Sequence, residues 1–426
     1  MTLHPFFRLA IAASVLSGGA LAHAATTTTT TTTVAGGRYG EVRVTQPDGP
    51  LRGFVVLYSQ ASGWSAADQQ SADALAQAGA MTVGVDTAQY VANLSAKKET
   101  CHQLVGDAEA LSHQLERQAR SNQYFAPIVA GTGQGATLAM HVLEQAPSNT
   151  IAGAVSVDAE RTLDARFHPC APDPTVIRDK VPGFVEKANT GAADRTRLVA
   201  LLTPHLQSVS TGDDDVSDLP LIELPAAHPN GLMAIVISGD GGWRDLDKTI
   251  AQALQKDGVS VIGWDSLRYF WSEKPPAQTS RDLARVMQTY GARWHAQHIA
   301  LVGYSFGADV MPFAYNRLPV EQRAKVSLIS LLGFAPDADF QIRVGGWLGM
   351  PASDKALNVR PELTHVPPSI VQCFYGESET DTLCPALDKT GVDVIRTSGD
   401  HHFGRDYNAL EQRILTAFRK QSGVQD

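Results

Sequence analysis

The chain carries one architecture twice, and that repeat limits its folding more than any other feature. Gly53-Phe-Val-Val-Leu-Tyr-Ser59 and Gly231-Leu-Met-Ala-Ile-Val-Ile237 are short apolar runs of strand type. Each leads into a Gly-Trp pair, Gly63-Trp64 and Gly242-Trp243. Twenty-two positions separate Trp64 from Asp86 and Trp243 from Asp265. Between these anchors Gly79 matches Gly258 and Gly84 matches Gly263; beyond them Tyr90 matches Tyr269. Asp68–Ala78 and Asp247–Lys256 have helical apolar spacing, and second strands follow at Met81–Val85 and Val259–Ile262. The match resumes where Pro127-Ile-Val-Ala130 enters Gly131-Thr-Gly-Gln-Gly135 and Ile299-Ala-Leu-Val302 enters Gly303-Tyr-Ser-Phe-Gly307. Alternating strands and helices predict two α/β domains with mostly parallel sheets covered by helices on both faces. The acidic, polar stretch Thr211–Asp218 before Leu219-Pro220 sets the boundary, giving domains at 35–219 and 220–426. Residues 160–210 have no clear partner in the second half.

The first segment bears on the compartment. His4 and Arg8 precede the apolar run Leu9–Ala22, which ends at Ala22-His23-Ala24, an A-x-A cleavage signature. This reads as a secretory signal peptide over residues 1–24. The run is short for a membrane span of about 20 residues. Residues 25–34, mostly Thr, have no core-forming pattern and read as a disordered leader. The chain is expected to be exported. An oxidising compartment makes its four cysteines interpretable. Of the three possible connectivities, the expectation is Cys373–Cys384, which closes a short loop, with Cys101–Cys170 in the first half. No Cys/His cluster has zinc spacing, and neither metal nor cofactor is expected. With 35 Lys+Arg against 44 Asp+Glu the net charge is −9, and no basic cluster offsets it, so nucleic acid is a poor partner.

The two repeats differ where chemistry would lie. Gly303-Tyr304-Ser305-Phe306-Gly307 fits the G-x-S-x-G nucleophile elbow. There a serine sits in a strained strand-to-helix turn, flanked by small residues that let the chain pass close. The first repeat has Gly133 at that position, so it keeps the turn and loses the oxygen. A serine nucleophile needs a base and an orienting acid, in chain order Ser, acid, His. After the late strand Ser369–Tyr375, Glu377, Glu379 and Asp381 compete for the acid; Asp381 is favoured for its place before Pro385, with Glu379 the alternative. After the last strand, Gly399-Asp400-His401-His402 offers the base, His401 ahead of His402. The N–H groups of Phe306 and Asp240 are the candidate oxyanion donors. Asp240 lies in the glycine-rich loop Ser238–Trp243, whose counterpart Gln60–Gly63 is read as one residue shorter and poorer in glycine.

Ser238-Gly-Asp-Gly-Gly-Trp-Arg244, Gly263-Trp-Asp-Ser-Leu-Arg-Tyr-Phe-Trp271, Gly303–Asp309 and the Cys373…Cys384 block resemble the bacterial VirJ/AcvB virulence-protein family over roughly residues 220–426. The duplicated first half resembles the longer, AcvB-type architecture. The resemblance implies two tandem α/β-hydrolase-like domains, the first degenerate and non-catalytic, the second a periplasmic serine esterase. It also implies a substrate, the aminoacyl ester of lysyl- or alanyl-phosphatidylglycerol, and hence peripheral contact with the outer leaflet of the inner membrane. Some relatives are associated with type IV secretion and virulence, which leaves a binding or chaperone module as the alternative, with secretion-system proteins as partners. An ammonium beside the scissile carbonyl would suit Asp240 or Asp309, and Trp243 could line an apolar entrance. Asp265 has a counterpart in Asp86 and so reads as structural.

Overall fold

The computed structural model describes residues 29–97, 99–147, 149–171, 183–191, 195–207, 216–343 and 353–424. The signal-peptide reading of residues 1–24 lies outside them. The first sheet is built from β1 (Thr30–Ala35), β2 (Glu41–Gln46), β3 (Gly53–Tyr58), β4 (Ala80–Val85), β5 (Ile128–Thr132), β6 (Gly153–Val157) and β7 (Phe184–Ala188), in the order β1-β2-β4-β3-β5-β6-β7. In the second half the strands are β8 (Leu221–Leu224), β9 (Leu232–Ile237), β10 (Ser260–Trp264), β11 (His298–Tyr304), β12 (Val326–Leu332), the two-residue β13 (Asp337–Ala338) and β14 (Leu357–Asn358), β15 (Val371–Gly376) and β16 (Asp393–Thr397). The second large sheet runs β16-β15-β12-β11-β9-β10-β8.

Six strands of each sheet follow one order, β2-β4-β3-β5-β6-β7 against β8-β10-β9-β11-β12-β15. In both, the strand at the β2 or β8 place is antiparallel and the next five are parallel. β3 and β9 are buried at every position because helices cover both faces of a parallel interior strand. Met233, Ile235 and Ile237 serve one core while Leu232, Ala234 and Val236 serve the other, the period-two alternation of a strand. The sheets differ at their edges. The first gains β1 beside β2; the second gains β16 beside β15, the strand that leads to His401. The stretch after residue 160 that had no partner in sequence supplies β7, at the place of β15, and the helix Arg195–Leu202.

β1 corrects the expectation of a disordered leader for Thr30–Val34. It pairs antiparallel with β2 from Thr30↔Gln46 to Ala35↔Glu41. A homopolymer has no amphipathic pattern, but an edge strand needs only backbone pairing, and β-branched Thr favours extended backbone. Thr31 Oγ1 also lies 3.1 Å from Thr45 Oγ1 across the pair.

The repeat extends to individual atoms. Ser59 Oγ accepts from Thr87 N at 3.0 Å and Ser238 Oγ from Ser266 N at 2.9 Å. Trp64 and Trp243 lie over Gly84 and Gly263, where a Cβ would stand 2.3 and 2.5 Å from the indole rings. Asp86 and Asp265 each cap the following helix, accepting from Gln89 N at 3.0 Å and Arg268 N at 3.1 Å. Asp86 also takes Trp64 N, at 3.1 Å. The constant Trp-to-Asp spacing is therefore a loop clamp. Equivalence of Ser59 with Ser238 also corrects the loop comparison: Ser59–Trp64 and Ser238–Trp243 have the same length. What changed is content, with Gln60, Ala61 and Ser62 standing where the second repeat has Gly239, Asp240 and Gly241.

Both expected disulfides are formed, Cys101–Cys170 and Cys373–Cys384. They fit an oxidising, extracytoplasmic compartment. Among the described residues no helix is long and apolar enough to cross a membrane.

Candidate active site

β11 ends at Tyr304, Ser305 turns the chain, and the helix Phe306–Asn316 begins at once. Ser305 has φ 50° and ψ −121°, a left-handed backbone that a serine adopts only where the surroundings impose it. The neighbouring glycines are required by contact. A Cβ on Gly303 would stand 2.5 Å from Gly307 O, and one on Gly307 would stand 2.3 Å from Ile237 O. In the first repeat Gly133 has φ 57° and ψ −124°, the same turn without a side chain.

The side chains of Gln60 and Glu160 lie beside that vacated position, with Gln60 Cγ 3.4 Å from where a Gly133 Cβ would be. Asp158, the first residue after β6, accepts from Thr190 N and Oγ1 and from Gly191 N at 2.5–2.8 Å. Glu160 Oε1 lies 3.6 Å from where a Gly133 Cβ would be, and Gln134 Nε2 donates to Glu160 Oε2 at 2.5 Å. The residue equivalent to Asp158 in the second domain is Gly333, the first after β12. Here the absent side chain makes room for the His401 ring. A Cβ on Gly333 would meet His401 Cε1 at 2.5 Å and Nδ1 at 2.8 Å, and φ is +63°.

His401 Nδ1 lies 2.5 Å from Glu379 Oε1. The Glu379 side chain is 5 % exposed, and its other oxygen accepts from Gly376 N at 3.1 Å. The favoured acid, Asp381, is exposed and lines the cleft without being the carboxylate on His401. Glu377 instead pairs with Arg396 at 3.3 Å. The reason for the correction from Asp381 to Glu379 lies in the turn. Glu379 N donates to Gly376 O at 3.0 Å, folding the chain back on the end of β15 and aiming the third residue after Gly376 inward. Bonds from Glu377 N to Thr397 O and from Ser378 N to Gly399 O, both 2.9 Å, tie this turn to the end of β16, where His401 follows. The Cys373–Cys384 bridge closes the same loop from the strand behind it. His402 points elsewhere and its Nδ1 lies 3.1 Å from Tyr304 OH.

Ser305, His401, Glu379, Phe306 and Asp240 line one cleft of about 510 Å³. Phe306 is the first helical residue, so its N–H has no partner within the helix and faces the turn at the helix N-terminus. The Asp240 loop passes close by: a Cβ on Gly239 would stand 3.6 Å from Ser305 Cβ. Seven carboxylates line the cleft, those of Asp240, Asp309, Asp337, Asp339, Glu379, Asp381 and Asp400, and no Lys or Arg does so among the described residues. Arg343 pairs with Asp339 at 3.1 Å. Asp309 is half-buried in the cleft wall and accepts from Ala335 N at 2.8 Å. Burial lifts its carboxyl well above the usual range, and the charges of Asp381, Asp240 and Glu379 push the same way. Trp243 is not part of the cleft. It is 2 % exposed, packed on Gly263 in the core, which corrects its assignment to a substrate entrance. Sequence reasoning missed Gly333, Asp337 and Asp339; the contrast of Gly333 with Asp158 was the available signal for the first.

A parallel sheet with a strained serine elbow and a His–carboxylate pair beyond later strands defines an α/β-hydrolase fold. The chain also matches the family described as bacterial virulence protein VirJ, over residues 53–157 and 231–422, more than half its length. It belongs to the VirJ family. No curated protein is significantly similar in sequence. Solved structures similar in fold include Est1E from Butyrivibrio proteoclasticus with ferulic acid bound, at 11 % identity and TM-score 0.35 over 49 % of this chain and 98 % of that one. Another is the esterase domain of a Rhodothermus marinus protein, at 16 % identity and TM-score 0.33 over 47 % of this chain and 90 % of that one.

Proposed function

We propose that the second domain is a serine esterase that removes the amino acid from lysyl- or alanyl-phosphatidylglycerol in the periplasm. The observation that carries the reading is the placement of Ser305 on a strained elbow in one cleft with the His401–Glu379 pair. Ser305 Oγ attacks the aminoacyl carbonyl while His401 Nε2 takes its proton. Glu379 holds the proton on Nδ1 and stabilises the imidazolium that forms. The N–H groups of Phe306 and Asp240 receive the negative charge on the carbonyl oxygen. Lipid glycerol leaves with the proton from His401, and water, activated by the same base, releases the amino acid from Ser305.

The acidic lining supports a cationic acyl group. An aminoacyl ester carries an ammonium beside the reacting carbonyl, and carboxylates near it lower the energy of that charge. VirJ-family membership supports the same substrate class. The lipid places the enzyme at the outer leaflet of the inner membrane. A second reading, a binding module for secretion-system proteins, is favoured by the first domain, where Gln60 and Glu160 lie beside the glycine that takes the place of the nucleophile.

The test is release of lysine or alanine from the two lipids by mature protein and by Ser305→Ala. Release by the wild type alone supports the esterase. No release from either lipid refutes the substrate, and equal release by both proteins refutes Ser305. Failure of a fluorophosphonate probe to label Ser305 favours the binding module.

A further inference from the structure

The second domain's oxyanion loop is held from the first domain. The helix Val105–Gln118 of the first domain turns Glu109, His113 and Arg117, spaced by four, toward the second. Glu109 forms an ion pair with Arg244, and Arg244 Nε donates to Gly241 O at 2.6 Å. Gly241 follows Asp240, whose N–H is the second oxyanion donor in the proposed mechanism. One helical turn on, His113 lies against Trp271, with ring centroids 5.8 Å apart. A further turn on, the Arg117 guanidinium sits 3.6 Å from the centre of the Trp271 ring and donates to the carbonyls of Trp271 and Ile342. Ile342 N in turn donates to Phe270 O at 2.9 Å, and the Phe270 ring packs on Phe306, 4.8 Å between centroids. One helix thus reaches toward both segments that supply the proposed donors. The first repeat kept the fold, lost its own site, and presents this stripe instead.

We propose that the degenerate first domain is a built-in positioning unit for the oxyanion hole of the second, and that Glu109 and Arg244 are its positioning residues. The inference rests on the esterase reading. Arg244 alone is a long side chain with many rotamers. Paired with Glu109 it is fixed, and its Nε then fixes the Gly241 carbonyl and the turn behind it, where Gly242 N donates to Gly239 O at 3.1 Å. A turn of three glycines has little rigidity of its own. An oxyanion hole works by holding its donors still before charge develops, so a loosened loop weakens transition-state binding more than substrate binding.

The experiment compares wild type, Glu109→Gln, Arg244→Lys and the double variant of the full mature chain on p-nitrophenyl butyrate. Phenylboronic acid, whose tetrahedral adduct with serine places an oxygen in the hole, is the second readout. Each single variant should lose about tenfold in kcat, with KM within about twofold, and the boronate affinity should fall by a similar factor. The double variant should lose no more than the worse single one, since both act through one contact. Glu109→Asp should restore part of the loss, and the melting temperature of Glu109→Gln separates folding damage from loop misplacement. Full activity and boronate binding in Glu109→Gln, a change in melting temperature alone, or additive losses in the double variant would each overturn the inference while leaving the esterase intact. A wild-type chain that neither turns over ester nor labels at Ser305 refutes the esterase reading itself, and this inference with it.

Discussion

Glu379 and Asp381 are two residues apart, and replacing each by its amide separates their roles. Glu379 is almost wholly buried and divides its oxygens between His401 Nδ1 at 2.5 Å and Gly376 N at 3.1 Å. In Glu379→Gln the amide oxygen can still accept from Gly376 N, which leaves the NH₂ facing His401. Nδ1 must then act as acceptor, and the imidazole proton moves to Nε2, the atom that has to take the proton of Ser305. A wrong tautomer of this kind costs about 10⁴ in kcat, or about 5.5 kcal/mol of barrier. Asp381 is exposed, and its charge acts through solvent, worth at most about 1 kcal/mol, so Asp381→Asn should lose less than about tenfold on a neutral ester. The assay is kcat/KM for p-nitrophenyl butyrate, with the rate of fluorophosphonate labelling at Ser305 as a check that does not depend on turnover. A collapse of about 10³ or more in Asp381→Asn, with Glu379→Gln within about tenfold of wild type, would refute the assignment.

Three further outcomes follow from the packing around the two sites. Gly333→Ala forces a side chain into a left-handed backbone and into the His401 ring, so it should lower stability by about 1–2 kcal/mol and ester turnover by at least about tenfold; unchanged turnover would mean that His401 is not held there. Burial, followed by the charges of Arg244 and Arg117, pushes the His113 pKa down to about 3. The unfolded chain takes this proton near pH 6.5 and the folded chain does not until about pH 3, so the stability His113 contributes is present above pH 6.5 and lost as pH falls. Urea unfolding at pH 7 and pH 4.5 should differ by about 2–3 kcal/mol more in wild type than in His113→Phe, and equal slopes would refute the burial. Replacing Cys373 and Cys384 by Ala together should cost about 2.5–3 kcal/mol, the loop-closure value for a separation of 11, and should lower activity because the loop carries Glu379; chemical denaturation and ester turnover measure the two effects.

Local spacing in this chain states what the backbone must do. The matched Gly-Trp and Asp anchors were legible because a tryptophan over a glycine and an aspartate capping a helix are short-range demands, repeated with the same separation. The elbow was legible for the same reason. Ser305 and Gly133 share a positive φ, and the glycines on either side are fixed by backbone contacts under 3 Å. The Thr tract misled because a strand at an edge is chosen by its neighbour, β2, and a homopolymer carries no pattern that names the neighbour.

What the sequence determined by itself was the duplicated α/β architecture, the armed elbow at Ser305 against the empty one at Gly133, and the region of each partner. The tertiary structure decided which carboxylate meets the histidine, because Glu377, Glu379 and Asp381 have similar chemistry and differ only in where the turn after Gly376 aims them. It put Trp243 in the core, since its ring covers Gly263. It also set Glu109 against Arg244, 135 residues apart in the chain, a contact that exists only because the two halves pack against each other. Residues that satisfy backbone geometry carry their reason in nearby positions. Residues that choose partners across a fold carry it in the packing of distant elements, and no local pattern encodes that choice.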